Sequence, residues 1–153
     1  MNLYPLLHIH PICRTSELSD LKKQIHTEYF FLHSGTTHIQ FSPFALERML
    51  QVAHDSQAVM LYSDYYTQQG EKSFAHPTIN YQQGSLRDDF DFGPLWIIHT
   101  STFIQAVDNL HTKYRYAALY ALRLQLSRLG KIIHLPEYLY SVQEEDYRKS
   151  GEK

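Results

Sequence analysis

Three continuous apolar runs divide this chain. They cover residues 29–32, 58–62 and 95–98, and no charged side chain interrupts them. Apolar runs of this length without polar alternation are typical of strands that are covered on both faces. A further run at residues 3–12, which Pro11 terminates, predicts another buried strand. We therefore expect all four segments to lie inside a sheet.

Helical spacing occurs between these runs. After Ser42 and Pro43, a favourable cap and first turn, apolar residues recur at positions i, i+3, i+4 and i+7. This predicted helix carries Leu46, Met49, Leu50 and Ala53 on one face. Further helices are predicted near residues 16–25, 100–110 and 114–129, with Ser16 or Ser19 capping the first, Thr100 or Ser101 capping the second, and Gly130 ending the last.

The order of these elements predicts an α/β domain with a mostly parallel sheet flanked by helices. Residues 29–64 read as strand, helix and strand, the unit that builds parallel sheets. The segment 65–75 contains two short strand patterns around a turn, which predicts an exposed hairpin. Two short strands are predicted at residues 132–135 and 138–140, and Pro136 separates them. We expect residues 1–143 to form a single domain and residues 144–153 to form a charged tail.

Composition narrows the class of protein. With 153 residues, 43% hydrophobic and 20% charged, the chain has the composition of a globular domain. A net charge of −2 without basic runs predicts no nucleic-acid partner, and the lack of a long apolar segment predicts no membrane span. The single Cys13 rules out an internal disulfide and favours a reducing, cytoplasmic location. Whether the chain forms a homo-oligomer is left open by the sequence.

Tyrosine and histidine are unusually frequent, with twelve and ten residues. Tyrosine has an apolar ring and a polar tip, so it suits half-wet clefts for polyhydroxylated ligands as well as ordinary packing. His8 and His10 would lie on one face of a strand with Cys13 nearby, but no second closely spaced ligand pair accompanies them. We therefore predict that these histidines are core or edge-strand residues rather than ligands of a zinc ion.

The densest charged cluster lies between residues 85 and 94. In an extended segment Asp89 and Asp91 point to the same side, and Asp88 points to the other. These carboxylates can serve as a general base, a metal ligand or acceptors for sugar hydroxyls, and Arg87 can contact phosphate in a bidentate manner. The alternative is a solvated acidic loop in which Arg87 is a local counter-ion.

Asp64 follows the buried run at residues 58–62. Open parallel sheets present their ligand-binding residues at the carboxyl ends of such strands. Asp64 is therefore a candidate binding residue, and its alternative role is to cap the turn at the base of the hairpin.

Three stretches together resemble a known family. The first is residues 28–32 with the small-residue turn and residues 44–50. The second is residues 59–66, and the third comprises residues 120–124, 130–132 and 135–140. In order and spacing they resemble family 2 glycosyltransferases with the A-type (nucleotide-diphospho-sugar transferase) fold, namely its central strand, turn and helix, its next strand and hairpin, and its late helix, strand and lower-lip segment. The resemblance covers roughly residues 16–143.

The resemblance implies transfer of a sugar from a nucleotide-sugar donor to the hydroxyl of a glycan acceptor, with Mg²⁺ or Mn²⁺ on the nucleotide diphosphate. Asp89 or Asp91 would then act as base or metal ligand, and Arg87 would contact phosphate. The remaining candidates are Asp88 as a sugar-hydroxyl acceptor, Asp64, Ser34 and Thr36 along the donor side, and Tyr65 and Tyr66 stacking on sugar.

The sequence departs from the family pattern in three ways. Ser34, Gly35 and Thr36 stand where the family has Asp-x-Asp, and Tyr116 and Ala117 stand where it has the catalytic Asp. The chain is also short at its N-terminal, nucleotide-binding end. These departures leave two further interpretations open: a non-catalytic relative that binds a partner or a glycan, and a piece of a longer active enzyme.

Overall fold

A computed structural model describes residues 4–10, 13–35, 38–76, 93–110, 113–114 and 117–143. Over these ranges the chain is an α/β structure, a mixed sheet with helices on both faces. None of its helices there has the length and apolarity needed to cross a membrane. The elements are β1 (Leu6–Ile9), α1 (Thr15–Lys22), β2 (Tyr29–Ser34), β3 (Ile39–Phe41), α2 (Ala45–Ser56), β4 (Met60–Gln69), β5 (Lys72–His76), β6 (Leu95–His99), α3 (Thr100–Asp108), α4 (Ala118–Leu129) and β7 (Ile132–Gln143).

The described part of the sheet has the strand order β1-β2-β6-β4-β7-β3, and β5 pairs with the far end of β4. Only the β1–β2 and β4–β7 pairings are parallel there, whereas β2–β6, β4–β6, β4–β5 and β3–β7 are antiparallel. The expected mostly parallel sheet is therefore corrected to a mixed one. The physical reason is that β2 and β4 do run in the same direction, but β6 inserts between them in the opposite direction.

The prediction that the apolar runs are covered on both faces is confirmed for residues 29–32, 58–62 and 95–98. The buried strand predicted at residues 3–12 is wrong: β1 covers only Leu6–Ile9, and of these four residues only Ile9 is buried, because β1 lies at the end of the described strand order. Along β2, Phe30 and Leu32 enter one core cluster, whereas Tyr29 and Phe31 enter another on the opposite face of the sheet. This division follows from the alternation of side chains along a strand. We call the first the α4 face, since it packs against α1, α3 and α4, and the second the α2 face, since it packs against α2.

Several element bounds differ from those expected. The helix α2 begins at Ala45 because Phe44 adopts a left-handed conformation, with φ of 62°, and the Ala45 N–H donates to the carbonyl of Ser42. Ser42 therefore contributes its backbone to the turn, and no side-chain cap hydrogen bond forms at this helix. The helix α4 begins at Ala118, later than predicted, and ends as predicted before Gly130.

The last strand is continuous rather than split by Pro136. Leu135 pairs with Ser63 and Tyr138 pairs with Asp64, so Pro136 and the residue after it have no partner on β4. A residue without a backbone N–H is tolerated at such an irregularity because no ladder hydrogen bond is lost. The hairpin of β4 and β5 is confirmed, although β4 continues through Asp64 to Gln69 instead of ending there.

Candidate functional site

Four strands, β1, β2, β4 and β7, run toward the same side of the sheet; β1 and β2 end there, and β4 and β7 continue beyond it. Ile9 of β1 pairs with Ser34 of β2, and the Ser34 N–H donates to the carbonyl of Pro94 at 2.8 Å. Beyond β6, Ser63 of β4 pairs with Leu135 of β7. We call this level of the sheet, from Ile9 across to Leu135, the carboxyl edge. It is the part of an open sheet where ligands generally bind.

A buried acid–histidine pair lies at this edge. Asp64 and His134 stand on the neighbouring strands β4 and β7, and His134 Nε2 lies 2.7 Å from Asp64 Oδ1. Their side chains are only 7% and 8% exposed. A carboxylate that accepts a hydrogen bond from an imidazole holds the ring in one orientation and one tautomer. The pair is thus a preorganised hydrogen-bonded unit on the α4 face.

Tyrosine rings surround this pair on both faces of the sheet. Tyr62 stacks on the His134 ring with centroids 5.1 Å apart, and Tyr65 stacks on Tyr140 at 5.2 Å on the α2 face. Farther along β4, Tyr66 stacks on Tyr138 at 4.9 Å. Tyr65 is 7% exposed and Tyr66 is 37% exposed. Of the two tyrosines predicted to meet a sugar, Tyr66 is therefore the one with an accessible ring.

Gly93 links the edge to the segment that precedes it. Its φ of 77° lies in the left-handed region, and a Cβ placed there would lie 2.9 Å from Tyr140 Oη and 3.1 Å from Tyr65 Cε1. Its carbonyl accepts a 2.9 Å hydrogen bond from Trp96 Nε1. Only glycine combines this conformation with this close approach, because it has no side chain.

Arg123 lies on the α4 face, where it contacts Trp96. It projects from α4, and its Cζ lies 5.4 Å from the centroid of the Trp96 ring. A guanidinium over an aromatic face gains a cation–π attraction, which grows when the site is shielded from water. This position belongs to the late-helix stretch on which the family resemblance partly rests.

The predicted site residues divide into two groups. Ser34, Asp64, Tyr65 and Tyr66 lie at or just beyond the carboxyl edge. Thr36, Arg87, Asp88, Asp89 and Asp91 lie outside the described residues. The chain from residue 77 to residue 92 nevertheless joins His76, which pairs with Tyr65, to Gly93, which packs on the same Tyr65. Both attachment points of the acidic segment are therefore next to this tyrosine.

A second histidine contact occurs on the α2 side of the same edge. His8 and His33 are register partners on β1 and β2, and their Nδ1 atoms are 2.9 Å apart. Burial, together with the nearby His8 charge, lowers the pKa of His33 to about 4. His33 is 1% exposed and lies within the strand β2.

The sequence analysis missed His134 as a partner of Asp64. The only local signal was an imidazole inside the apolar run 132–135, a position that usually holds an aliphatic residue in a buried strand. The pairing itself joins residues 70 positions apart. It becomes visible only once β4 and β7 are known to be neighbours.

Comparison with known proteins adds no assignment to these observations. A scan against models of protein families found no match, and a search of curated proteins found no significant similarity.

Proposed function

We propose that this chain is a glycosyltransferase-like domain that binds a nucleotide-sugar at the carboxyl edge and transfers the sugar to a hydroxyl of a glycan. The observation that carries the proposal is the convergence of Ser34, Asp64 and Gly93 at one edge of the sheet. These residues belong to separate stretches of the sequence, and the first two were predicted to line the donor side.

The chemical roles follow from the residue types. The acceptor hydroxyl gives its proton to Asp89 or Asp91, its oxygen attacks the anomeric carbon, and the bond from that carbon to the diphosphate breaks. Arg87 contacts the leaving phosphates, and Asp88 accepts hydrogen bonds from sugar hydroxyls. Asp64, held by His134, lines the donor side, and the exposed ring of Tyr66 supports the sugar.

The fold is proposed to be a shortened A-type glycosyltransferase fold. The first of the three stretches that carry the resemblance lies in β2 and α2, the second lies in β4, and the third lies in α4 and β7. In space β4 and β7 are direct neighbours, and β6 alone separates β2 from β4. Stretches that are far apart in the chain thus lie next to each other in one sheet. This neighbourhood supports the proposal that they belong to one site.

The family's donor metal was considered against the described residues. Mg²⁺ and Mn²⁺ prefer several carboxylate oxygens, whereas the described edge offers the Ser34 hydroxyl and the Asp64 carboxylate, which is already held by His134. No group of three or more potential ligands occurs in the described parts of the chain. These residues do not fit such an ion, so no step of the proposed reaction is assigned to it.

Calorimetric titration with uridine and guanosine diphosphates, with and without Mn²⁺, tests donor binding. We expect one of the two diphosphates to bind, and Asp64→Ala to weaken that binding at least tenfold. Asp55→Ala is the matched control, since this carboxylate is 65% exposed on α2. The absence of binding for both nucleotides would refute the transferase proposal for this chain.

Turnover is tested by release of the diphosphate from a panel of nucleotide-sugars. Asp89→Asn combined with Asp91→Asn is expected to abolish release while the diphosphate still binds. If this double variant releases the diphosphate at the unchanged rate, the acidic segment has no catalytic role, and the alternative of a solvated loop is favoured.

The second candidate function is non-catalytic glycan binding. It is favoured by the stacked pair of Tyr66 and Tyr138 together with the absence of the Asp-x-Asp carboxylates. A glycan array tests it, with Tyr66→Ala as the disrupting variant and Phe74→Ala as the control. Phe74 is 47% exposed on the partner strand β5. Glycan binding that depends on Tyr66 without any binding of diphosphates would favour this candidate over the transferase.

A further inference from the structure

We propose that His8 and His33 form a binding site for a divalent ion late in the first transition series, with Cu²⁺ and Ni²⁺ as the best-fitting ions. The two side chains stand opposite each other on the parallel strands β1 and β2. Their ring centroids are 5.0 Å apart, and their Nδ1 atoms are separated by 2.9 Å. The contact lies on the α2 side, away from Asp64 and His134 on the α4 face.

The chemistry of the contact favours a metal ion. Two imidazole nitrogens at hydrogen-bond distance share one proton, because one ring must donate and the other must accept. A divalent ion that displaces this proton gains two nitrogen ligands, and it lies beside the line between the two nitrogens because that line is too short to hold it. The neutral imidazole is the form that binds metals.

The distance between the two Nδ1 atoms favours some ions over others. With metal–nitrogen bonds of about 2.0–2.1 Å, two nitrogens 2.9 Å apart subtend an angle of roughly 90° at the metal. That is the angle between neighbouring ligands of a square-planar or octahedral ion such as Cu²⁺ or Ni²⁺. A tetrahedral Zn²⁺ site needs a separation of about 3.4 Å for the same bond lengths.

The two ligands also differ in exposure. His33 is buried in the sheet, whereas His8 is exposed at the rim, so an ion can reach the pair from the His8 side. In the described parts of the chain no group of three potential metal ligands forms, so the inferred site rests on these two imidazoles. The inferred site is therefore open and exchangeable rather than a closed structural centre.

The pair of His8 and His33 could not be predicted from the sequence. His8 and His10 are two apart in the chain and suggested a ligand pair on one strand, but β1 ends at Ile9. The partner of His8 is instead 25 positions away on the neighbouring strand. Cross-strand pairs of this kind leave no spacing signature in a sequence.

Calorimetric titration of the full chain with CuCl₂ at pH 7.5, in a buffer containing glycine as a competing chelator, tests the site. Electron paramagnetic resonance of the same samples counts the nitrogen ligands. We expect one tight Cu²⁺ equivalent with two imidazole nitrogens. His8→Ala should weaken its binding at least tenfold, and Zn²⁺ should bind at least tenfold more weakly than Cu²⁺.

His10→Ala is the matched control, because His10 is exposed just beyond the same strand. It should leave both the affinity and the spectrum unchanged. His8 is itself exposed, so its variant is expected to keep the circular dichroism spectrum of the folded chain. Equal Cu²⁺ affinity in the wild type and His8→Ala, an equal loss in both variants, or the absence of a tight equivalent would each overturn the proposal.

Discussion

The carboxylate of Asp64 and the imidazole of His134 meet at 2.7 Å between two parallel strands, and each side chain is more than nine-tenths buried. A buried polar pair is costly to desolvate and is retained only when its members satisfy each other. Because this pair lies at the carboxyl edge, the same two residues stabilise the fold and belong to the proposed binding site. Changes to either residue are therefore expected to affect folding as well as binding.

Asp64→Ala is expected to lower the free energy of unfolding by about 3 kcal/mol, since it leaves a buried imidazole without its carboxylate. A double-mutant cycle with His134→Ala isolates the coupling between the two residues in urea titrations. The Arg48 and Glu137 pair provides the control cycle, because both side chains are well exposed, at 50% and 38%. Its bidentate contact lies at the surface, so we expect a coupling there of at most about 1 kcal/mol. Additive effects at Asp64 and His134 would contradict the argument.

Gly93→Ala is expected to destabilise the fold by about 3 kcal/mol, because strain at positive φ adds to the close approach of Tyr65 and Tyr140. Gly70→Ala is the matched control. Gly70 has a φ of 60°, but a Cβ there meets nothing within 4 Å, so only the strain of about 1 kcal/mol remains. Thermal or urea unfolding measures both. Equal losses in the two variants would show that contact with the tyrosines is unimportant.

Stability should fall as the pH is lowered from 7 to 5, and His33 should account for much of that fall. Burial lowers the pKa of His33 to about 4 in the folded chain, whereas the unfolded residue titrates near 6.5. Between these values the unfolded state binds the additional proton, so acid favours unfolding, by about 2 kcal/mol at pH 5 relative to pH 7.

His33→Asn is expected to remove that contribution from the pH dependence, measured by urea titrations at the two pH values. His10→Asn should follow the wild type, because His10 is exposed. An unchanged pH slope in His33→Asn would show that this residue titrates normally in the folded chain.

The thiol of Cys13 should react slowly with alkylating reagents and disulfide probes. Burial, assisted by the charge of Glu17, raises its pKa to about 11, and the residue is 1% exposed. The reactive thiolate is then about a hundredfold less populated than for an ordinary cysteine. We expect full labelling with 5,5′-dithiobis(2-nitrobenzoate) in denaturant and little in buffer. Rapid labelling of the folded chain would contradict the buried placement of Cys13.

The local patterns predicted most elements but not their neighbours. The runs at residues 29–32 and 95–98 become β2 and β6, and helical spacing located α2. The strand β3 was not predicted, because its three residues form no pattern of their own and are ordered by pairing with β7. The split expected at Pro136 was wrong, since pairing with β4 continues past the irregularity.

The candidate site was predicted in part for the same reason. Asp64 was recognised because it follows a buried apolar run, which is a local feature, and Ser34 was recognised through the family resemblance. His134 as the partner of Asp64, and His33 as the partner of His8, depend on which strands lie side by side. The Tyr65 and Tyr66 pair was predicted as a unit, yet alternation along β4 buries one ring and exposes the other.

The sequence by itself thus determined the α/β class, the buried strands and most helices, because hydrophobic periodicity acts within a few residues. Only the tertiary structure decided that β6 lies antiparallel between β2 and β4, and which polar side chains meet. Strand order is set by long-range burial and hydrogen bonding across the whole sheet. No single stretch of this chain encodes those interactions.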